Sequence, residues 1–160
     1  MSATVAIRPA TAADEVAWRV LWAEYCRFYG TDLPEATTAA TWTRILTPGS
    51  AFGTLLAVDR AGSGDVLGFA NYVLHPYTWS ERDACYLEDL YVAPAARGRA
   101  IGTALIDALR ARAEQEGWAR LYWHTETGNA RARAVYDRFT SADGFVRYLL
   151  PVESAGGGIG

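Results

Sequence analysis

Three groups of residues in this chain have types and spacings that could do chemistry. The first is Arg97-Gly98-Arg99-Ala100-Ile101-Gly102, which follows an extended apolar run from Tyr86 to Val92. It opens a segment with apolar residues at helical spacing, Ile101, Ala104, Leu105, Ala108 and Leu109. The pattern reads as a strand, a tight turn and a helix N-terminus. A helix's first turn presents unpaired N–H groups and the positive end of the macrodipole, and small residues let an anion reach the backbone. A phosphate-bearing ligand suits the amides of Ile101, Gly102 and Thr103, with Gly98 and Arg99 just upstream. Neither the Gly-Lys-Ser/Thr ending of a nucleotide-triphosphate loop nor the three-glycine dinucleotide fingerprint is present. The second group is the adjacent pair Glu88 and Asp89 within Tyr86-Leu87-Glu88-Asp89-Leu90-Tyr91-Val92. Acids in such a run are costly unless they pair, reach water or act as a base. Successive strand residues face opposite ways, so the two can share a pocket only across a bulge. The third is Tyr136, seven positions after Asn129. That spacing is about two helical turns, which puts a capping amide and a protonated phenol on nearly one face.

Other chemistries are disfavoured. Cys26 and Cys85 sit in apolar contexts without metal-ligand spacing, and His75 and His124 are far apart in sequence, so buried reduced thiols and no metal site are expected. A chain of 160 residues can bury its own core without staples. Residues 1–153 are expected to form one domain and the glycine-rich 154–160 a flexible tail. No run approaches a membrane span and no charged-then-apolar leader opens the chain, which predicts a soluble, cytoplasmic protein. The formal charge of −3 hides an asymmetry: Arg97 to Arg138 carries +3 and the remainder −6. Such a field would steer an anionic cofactor and a cationic acceptor to different regions, although solvated faces alone could produce it. The overall acidity, with no contiguous basic stripe, argues against a nucleic-acid partner.

The elements that must position these groups follow from patterning. Thr4 to Arg8 reads as a first strand, and Thr11-Ala-Ala-Asp14 as a capping box for a helix that carries Val16, Trp18, Val20, Leu21, Trp22, Tyr25, Phe28 and Tyr29 and ends at Gly30. Its apolar stripe is too wide for one solvated helix, so much of it must be covered. A second helix is predicted from Glu35 to Leu46, with Pro48-Gly49 stopping it. Phe52 to Asp59 and Val66 to Leu74 read as antiparallel strands joined by the turn-rich Arg60 to Asp65, and Ala84 to Val92 as the next strand. The loop His75 to Asp83 mixes aromatic rings, Trp79 among them, with acids. It could clamp an ammonium group or be a plain surface turn. After the phosphate-turn helix, which ends at Gly117, Leu121 to Thr125 reads as a strand, Thr127-Gly128-Asn129 as a helix start, and Gly144 to Val152 as a last strand. The order implies an α/β fold: a mixed, mostly antiparallel central sheet flanked by helices, with a β-α-β crossover around the phosphate turn.

The stretch Tyr86 to Ile106, followed by Asn129 to Phe145, resembles the GCN5-related N-acetyltransferases (GNAT). Their signature Arg/Gln-x-x-Gly-x-Gly/Ala is carried here by Arg97, Ala100 and Gly102, with alanine in place of the first glycine. Alanine fits a helix start, so cofactor binding is expected to survive. The downstream pattern Asn-x-x-Ala-x-x-Leu-Tyr appears as Asn129, Ala132, Val135 and Tyr136. A Gly144-Phe145 pair follows later than usual, behind the extra residues Thr140 to Asp143. The resemblance implies the GNAT fold and acetyl-CoA as cofactor. Arg97, Gly98, Arg99, Ala100, Ile101, Gly102 and Thr103 would hold its pyrophosphate, and its pantetheine arm would pair like an added strand with Leu90, Tyr91 and Val92. Family members often have a bulge there, which would free an N–H, Leu90's being the candidate, to serve as oxyanion donor. Asn129 would touch the cofactor, and the Tyr136 hydroxyl would be the general acid for the departing thiolate.

The phrase Tyr-Leu-Glu-Asp-Leu resembles the diamine and polyamine acetyltransferases, in which the matching glutamate is the base. Glu88 is thus the candidate, with Asp89 as the alternate. The helix-loop-helix region makes Tyr25, Tyr29 and Asp32 candidates for the acceptor pocket by resemblance, with packing and turn chemistry as their other explanation. Acceptor identity stays open, a small polyamine or diamine standing first before a protein lysine; a non-catalytic acyl-CoA sensor is the competing class. A homodimer is expected because dimers are common in the family. All 15 basic residues are arginine, so side-chain self-acetylation has no lysine target.

Overall fold

The computed structural model describes residues 4–62 and 64–152; the tail expected at 154–160 lies outside the described residues. The chain divides into two compact units, one ending at Glu126 and the other beginning at Thr127. Among the described residues no helix is long and apolar enough to cross a membrane.

The first unit begins with β1 (Val5–Pro9). Arg8 at its end grips Asp14 through two 2.8 Å hydrogen bonds, and the same carboxylate accepts from the Thr11 amide at 2.8 Å. This reciprocal cap fixes where α1 (Glu15–Phe28) starts. The helix buries Trp18 and Leu21, and α2 (Glu35–Leu46) adds Trp42. The Trp18 ring lies 5.3 Å from Trp22 and 5.1 Å from Trp42, with Phe69 and Tyr91 completing the cluster. Cover thus reaches only part of the apolar stripe of α1: Trp18 and Leu21 are buried, whereas Val16, Val20, Phe28 and Tyr29 stay exposed among the described residues, because the sheet and α2 pack on one side of the helix only.

Four strands then form a sheet in chain order: β1, β2 (Phe52–Asp59), β3 (Val66–His75) and β4 (Ala84–Val92), all antiparallel to their neighbours. The chain crosses over through α3 (Ile101–Glu116) and returns as β5 (Arg120–Tyr122), parallel to β4. This is the mixed, mostly antiparallel sheet with a β-α-β unit that the sequence predicts. Leu105, Ile106 and Leu109 of α3 are fully buried. They pack against the sheet face opposite Trp18, because alternate strand residues serve opposite layers.

Two features of the first unit depart from expectation. Strand β5 covers Arg120–Tyr122 rather than 121–125, and it pairs only with Ala84, Cys85 and Tyr86. The ladder stops just before a bulge in β4, where the strand bends away and regular pairing ends. Ala100, expected to fit an ordinary helix start, instead has φ 56° and is the N-cap of α3. The turn needs a left-handed residue at that point, and an L-residue there costs about 1–2 kcal/mol.

The second unit contains α4 (Ala130–Tyr136), capped by the Asn129 side chain, which accepts from the Ala132 amide at 3.2 Å. Phe139, expected on the same helical face, lies beyond the helix end. The last strand predicted from Gly144 to Val152 is not formed. Phe145, Tyr148, Leu150 and Val152 are each nearly nine-tenths exposed or more. Alternating apolar residues state only that one face wants cover; a strand also needs a neighbour for its amides and carbonyls.

Candidate active site

The site builds outward from the bulge. In the ladder between β3 and β4, Asn71 opposes Asp89 and Tyr72 opposes Leu87, so Glu88 is the extra residue on β4. That is the device needed for two adjacent acids to approach one pocket. Asp89 is half-buried and accepts from the Asn71 side-chain amide at 3.1 Å and from the Tyr25 hydroxyl. Glu88 lies at the exposed rim. Burial pushes both carboxyls above their ordinary range; for Asp89 the bonds from Asn71 and Tyr25 offset part of it, and for Glu88 the neighbouring Asp89 charge adds to it.

A relay runs inward and outward from Asp89. Inward, the Asn71 side-chain oxygen accepts from Thr54 Oγ1 at 2.6 Å and from Trp18 Nε1 at 3.4 Å. Outward, Tyr25 hydrogen-bonds Tyr29, whose ring centroid is 4.9 Å away. Burial, then the charge of Asp89, raises the Tyr25 hydroxyl pKa, which keeps it a donor at neutral pH. Sequence reasoning missed Thr54 and Asn71, although Asn71 is the lone amide in the apolar run Leu67 to Leu74 and so carried a signal. A buried amide has to find partners, and here it holds the acid.

Of the predicted acceptor-side residues, Tyr25, Tyr29, Glu88 and Asp89 are gathered together. Asp32 and Trp79 are not brought into this cluster: Asp32 is exposed in the loop after α1, and Trp79 is 86% exposed with its ring 6.3 Å from Tyr77. A cavity of about 290 Å³ lined by Phe52, Thr54, Tyr72, Leu74, Arg112 and Trp118 does not include Glu88 or Asp89 and meets the relay only at Thr54.

The predicted phosphate turn is present. Gly98 has φ 81° and Ala100 φ 56°, and α3 begins at Ile101 with no side-chain cap over its first amides. A Cβ on Gly102 would meet only ordinary contacts, with Val92 at 3.9 Å and Leu90 at 4.0 Å, so chain packing does not demand that glycine. Strained backbone, bare amides and an unfilled position together fit a bound anion. Arg97 is pinned by its Nε bond to the Val92 carbonyl at 3.2 Å and by the Tyr91 ring below its guanidinium. The Arg99 side chain points instead to Asp59 at 3.4 Å and Thr4 at 3.3 Å, leaving only its backbone for the turn. Leu90, Tyr91 and Val92 lie beyond the last β5 pairing, so this edge of β4 has no strand partner among the described residues. Tyr91 itself is core, with its hydroxyl donating to Glu24 at 3.2 Å. In the second unit Asn129 caps α4 and Tyr136 closes it, half-buried.

Comparison with known proteins decides what this arrangement belongs to. Residues 17–140 match the model of the acetyltransferase (GNAT) family. The chain belongs to the GNAT family. This acetyltransferase is 36% identical over 125 residues to the D-amino-acid N-acetyltransferase HPA3 of Saccharomyces cerevisiae, covering 78% of this chain and 77% of that one. It is 28% identical over 127 residues to an aminoglycoside N(6')-acetyltransferase type 1 of Klebsiella aerogenes, covering 75% and 74%. Its fold matches the structure of AAC(6')-Iy in complex with a CoA bisubstrate analogue, with TM-score 0.78 and 19% identity over 93% of this chain and 98% of that one. The GNAT acetyltransferase is an enzyme of acyl transfer to nitrogen, and acetyl-CoA is its cosubstrate.

Proposed function

We propose that this enzyme acetylates a primary amine of a small molecule by direct attack, within a single N-acetyltransferase domain spanning residues 1–153. The observation that carries the reading is the bulged acid pair, Asp89 held inside by Asn71 and Tyr25 with Glu88 at the rim. An aliphatic ammonium has a reference pKa near 10 and must lose a proton before it attacks. Glu88 is the proposed base, acting directly or through water, and Asp89 the alternate. Their raised pKa values bring either closer to the proton affinity a base needs near neutrality.

Gly98, Arg99, Ala100, Ile101, Gly102 and Thr103 are the proposed pyrophosphate cradle. Arg97 stabilises the turn through Val92, and Asn129 is proposed to touch the cosubstrate. Leu90, Tyr91 and Val92 offer backbone to the pantetheine arm, with the Leu90 N–H as donor to the carbonyl. Acetyl-CoA, when bound, supplies the activated thioester acyl group. The amine nitrogen gains a bond to the acyl carbon as the carbon–sulfur bond breaks. Glu88 would take one proton from the ammonium before attack and pass it to water, then take the second as the amide forms, while Tyr136 would give its hydroxyl proton to the leaving sulfur and regain one from water, so that an amide and free thiol would result.

Two acceptor classes have support. The acids beside Tyr25 and Tyr29 suit a polyamine or diamine, the expectation from sequence. An amino acid is favoured by the similarity to HPA3, the D-amino-acid N-acetyltransferase. A homodimer and a cytoplasmic setting belong to the same proposal. The exposed apolar side chains from Phe145 to Val152 support the dimer, and light scattering over a concentration series tests it.

The test of the reaction is thiol release with acetyl-CoA and a panel of small amines, with an amine-free blank. Glu88→Gln is expected to lower kcat/KM by about 10²–10⁴-fold. It should also abolish an acidic limb that lies above the ordinary carboxylate range, because the base must be ionised and its pKa is raised. An unchanged profile would transfer the role to Asp89, tested by Asp89→Asn.

A further inference from the structure

Sequence reasoning set His75 and His124 aside, yet the first unit places them in one cluster with three other side chains. Val73 opposes Tyr86, His75 opposes Ala84, Ala84 neighbours Arg120, and Tyr86 neighbours Tyr122. In-register partners project from the same face, so His75, Tyr86, Arg120 and Tyr122 share a face. Asn71 opposes Asp89 two residue pairs farther along β3, which makes it the face of the acid pair as well. His124 joins through its Nδ1, 3.1 Å from the Tyr86 hydroxyl. This surface adjoins α1: after burial, the charge of Glu126, two residues beyond His124, is what most raises the Tyr29 hydroxyl pKa.

The hydrogen bonds orient the cluster. His75 Nδ1 lies 2.8 Å from the Pro76 carbonyl, which can only accept, so that nitrogen carries the proton. Its Nε2 then accepts from the Tyr122 hydroxyl at 2.7 Å. The Tyr122 ring is held in place, and the Arg120 guanidinium carbon sits 4.6 Å from its centroid and 4.3 Å from that of Tyr77. Arg120 makes no ion pair among the described residues. An arginine held by two aromatic faces, with its donors unspent on any carboxylate, is a pre-organised fork for an anion. That anion is not the cosubstrate's pyrophosphate. Arg120 is in register with Ala84, eight residues from Val92, which puts about 26 Å of strand between it and the phosphate turn.

We propose that Arg120, supported by Tyr122 and Tyr77, is the carboxylate subsite of the acceptor, so that the preferred acceptor is a long-chain amino acid acetylated at its terminal amine. The inference rests on the proposed role of Glu88 and Asp89 at the amine. Arg120 is in register with Ala84, which opposes His75, while Asp89 opposes Asn71, four residues along the unbulged β3, about 13 Å away. An extended lysine separates its terminal nitrogen from its carboxyl carbon by six bonds, about 7 Å. Contact distances at each end fill the remainder. An α-amine is too short for the span, and a diamine of equal length would present a second cation to Arg120.

The experiment compares acceptors that differ only by the carboxylate: lysine against cadaverine, and ornithine against putrescine, each in the thiol-release assay with wild type, Arg120→Gln and Arg120→Lys. Wild type is expected to prefer each amino acid over its diamine by about ten- to a hundredfold in kcat/KM. Arg120→Gln should collapse that ratio toward one through KM, and Arg120→Lys should restore part of it. A ratio near one in wild type, or a ratio that Arg120→Gln leaves intact, overturns the carboxylate subsite alone. Silence on all four amines, with acetyl-CoA binding intact by calorimetry, overturns the small-amine reading and the subsite with it.

Discussion

Strand β4 and the segment Gly144 to Val152 have the same length and similar composition, yet they end in opposite states. Strand β4 is paired along its length by β3, and it buries Ala84, Cys85, Leu87 and Tyr91. The later segment forms no strand and exposes Phe145, Val146, Tyr148, Leu149, Leu150 and Val152. Intrinsic preference for extended backbone is alike in both, so the difference lies in whether a neighbour supplies hydrogen bonds and cover. The contrast teaches that β4 can carry two acids because its neighbours hold it, while nothing comparable constrains the terminal segment within the described chain.

The largest effect that sharpens this contrast is Trp18→Ala. The ring is fully buried against Trp22, Trp42 and Phe69, and its loss is expected to destabilise the fold by about 3–5 kcal/mol in denaturant unfolding. It also removes a donor to Asn71, so activity should fall even where the protein stays folded. A cost below about 1 kcal/mol would contradict the packing around β3 and β4.

Next comes Asp14→Asn, expected to cost about 1–2 kcal/mol at neutral pH, the Arg8 end of the pair being partly exposed and screened. The Arg8 guanidinium beside Asp14 holds its carboxyl well below the usual carboxylate range. A depressed folded pKa stabilises the protein above the unfolded value, near 4, and the benefit fades as pH falls from there through the folded pKa. The gap between wild type and variant should therefore shrink on acidification below about pH 4. A gap that widens would break the assignment.

Ala100→Gly is expected to raise stability by up to about 1 kcal/mol, since glycine adopts φ 56° without strain but loses more chain entropy on folding. Calorimetric binding of coenzyme A would report whether the relaxed turn still grips an anion. The smallest effect belongs to the terminal segment. Leu149→Ala should change unfolding of dilute protein by less than about 0.5 kcal/mol, because the side chain is 73% exposed. A larger cost that grows with protein concentration would show the segment covered by a second copy, and so erase the contrast with β4 on assembly.

Much of the fold could be read from the residues. Both ends of α2, β2 and β4 fall where patterning puts them, because turn residues or proline interrupt strong apolar periodicity there. The turn from Arg97 to Gly102 was legible for the same reason, small residues between a strand and a helix. The strand predicted at 144–152 failed because alternation says nothing about the presence of a partner. At the site, Tyr25, Tyr29, Glu88 and Asp89 were legible as candidate types, whereas Trp79 and Asp32 were equally plausible by type and are not gathered with them.

The sequence by itself determined the local chemistry of this protein: an anion-ready helix start, two acids in an apolar strand, a tyrosine two turns past a cap, and a family resemblance that the comparisons bear out. These depend on residue type and short spacing, which the chain carries directly. Only the tertiary structure decided that Glu88 occupies a bulge, that Asn71 grips Asp89 from the neighbouring strand, that Ala100 is left-handed, and that Arg120 lies over Tyr77 and Tyr122. Each of these is a pairing between residues distant in sequence, or a backbone angle imposed by such pairings. Strand register sets them, and no local pattern encodes the register on its own.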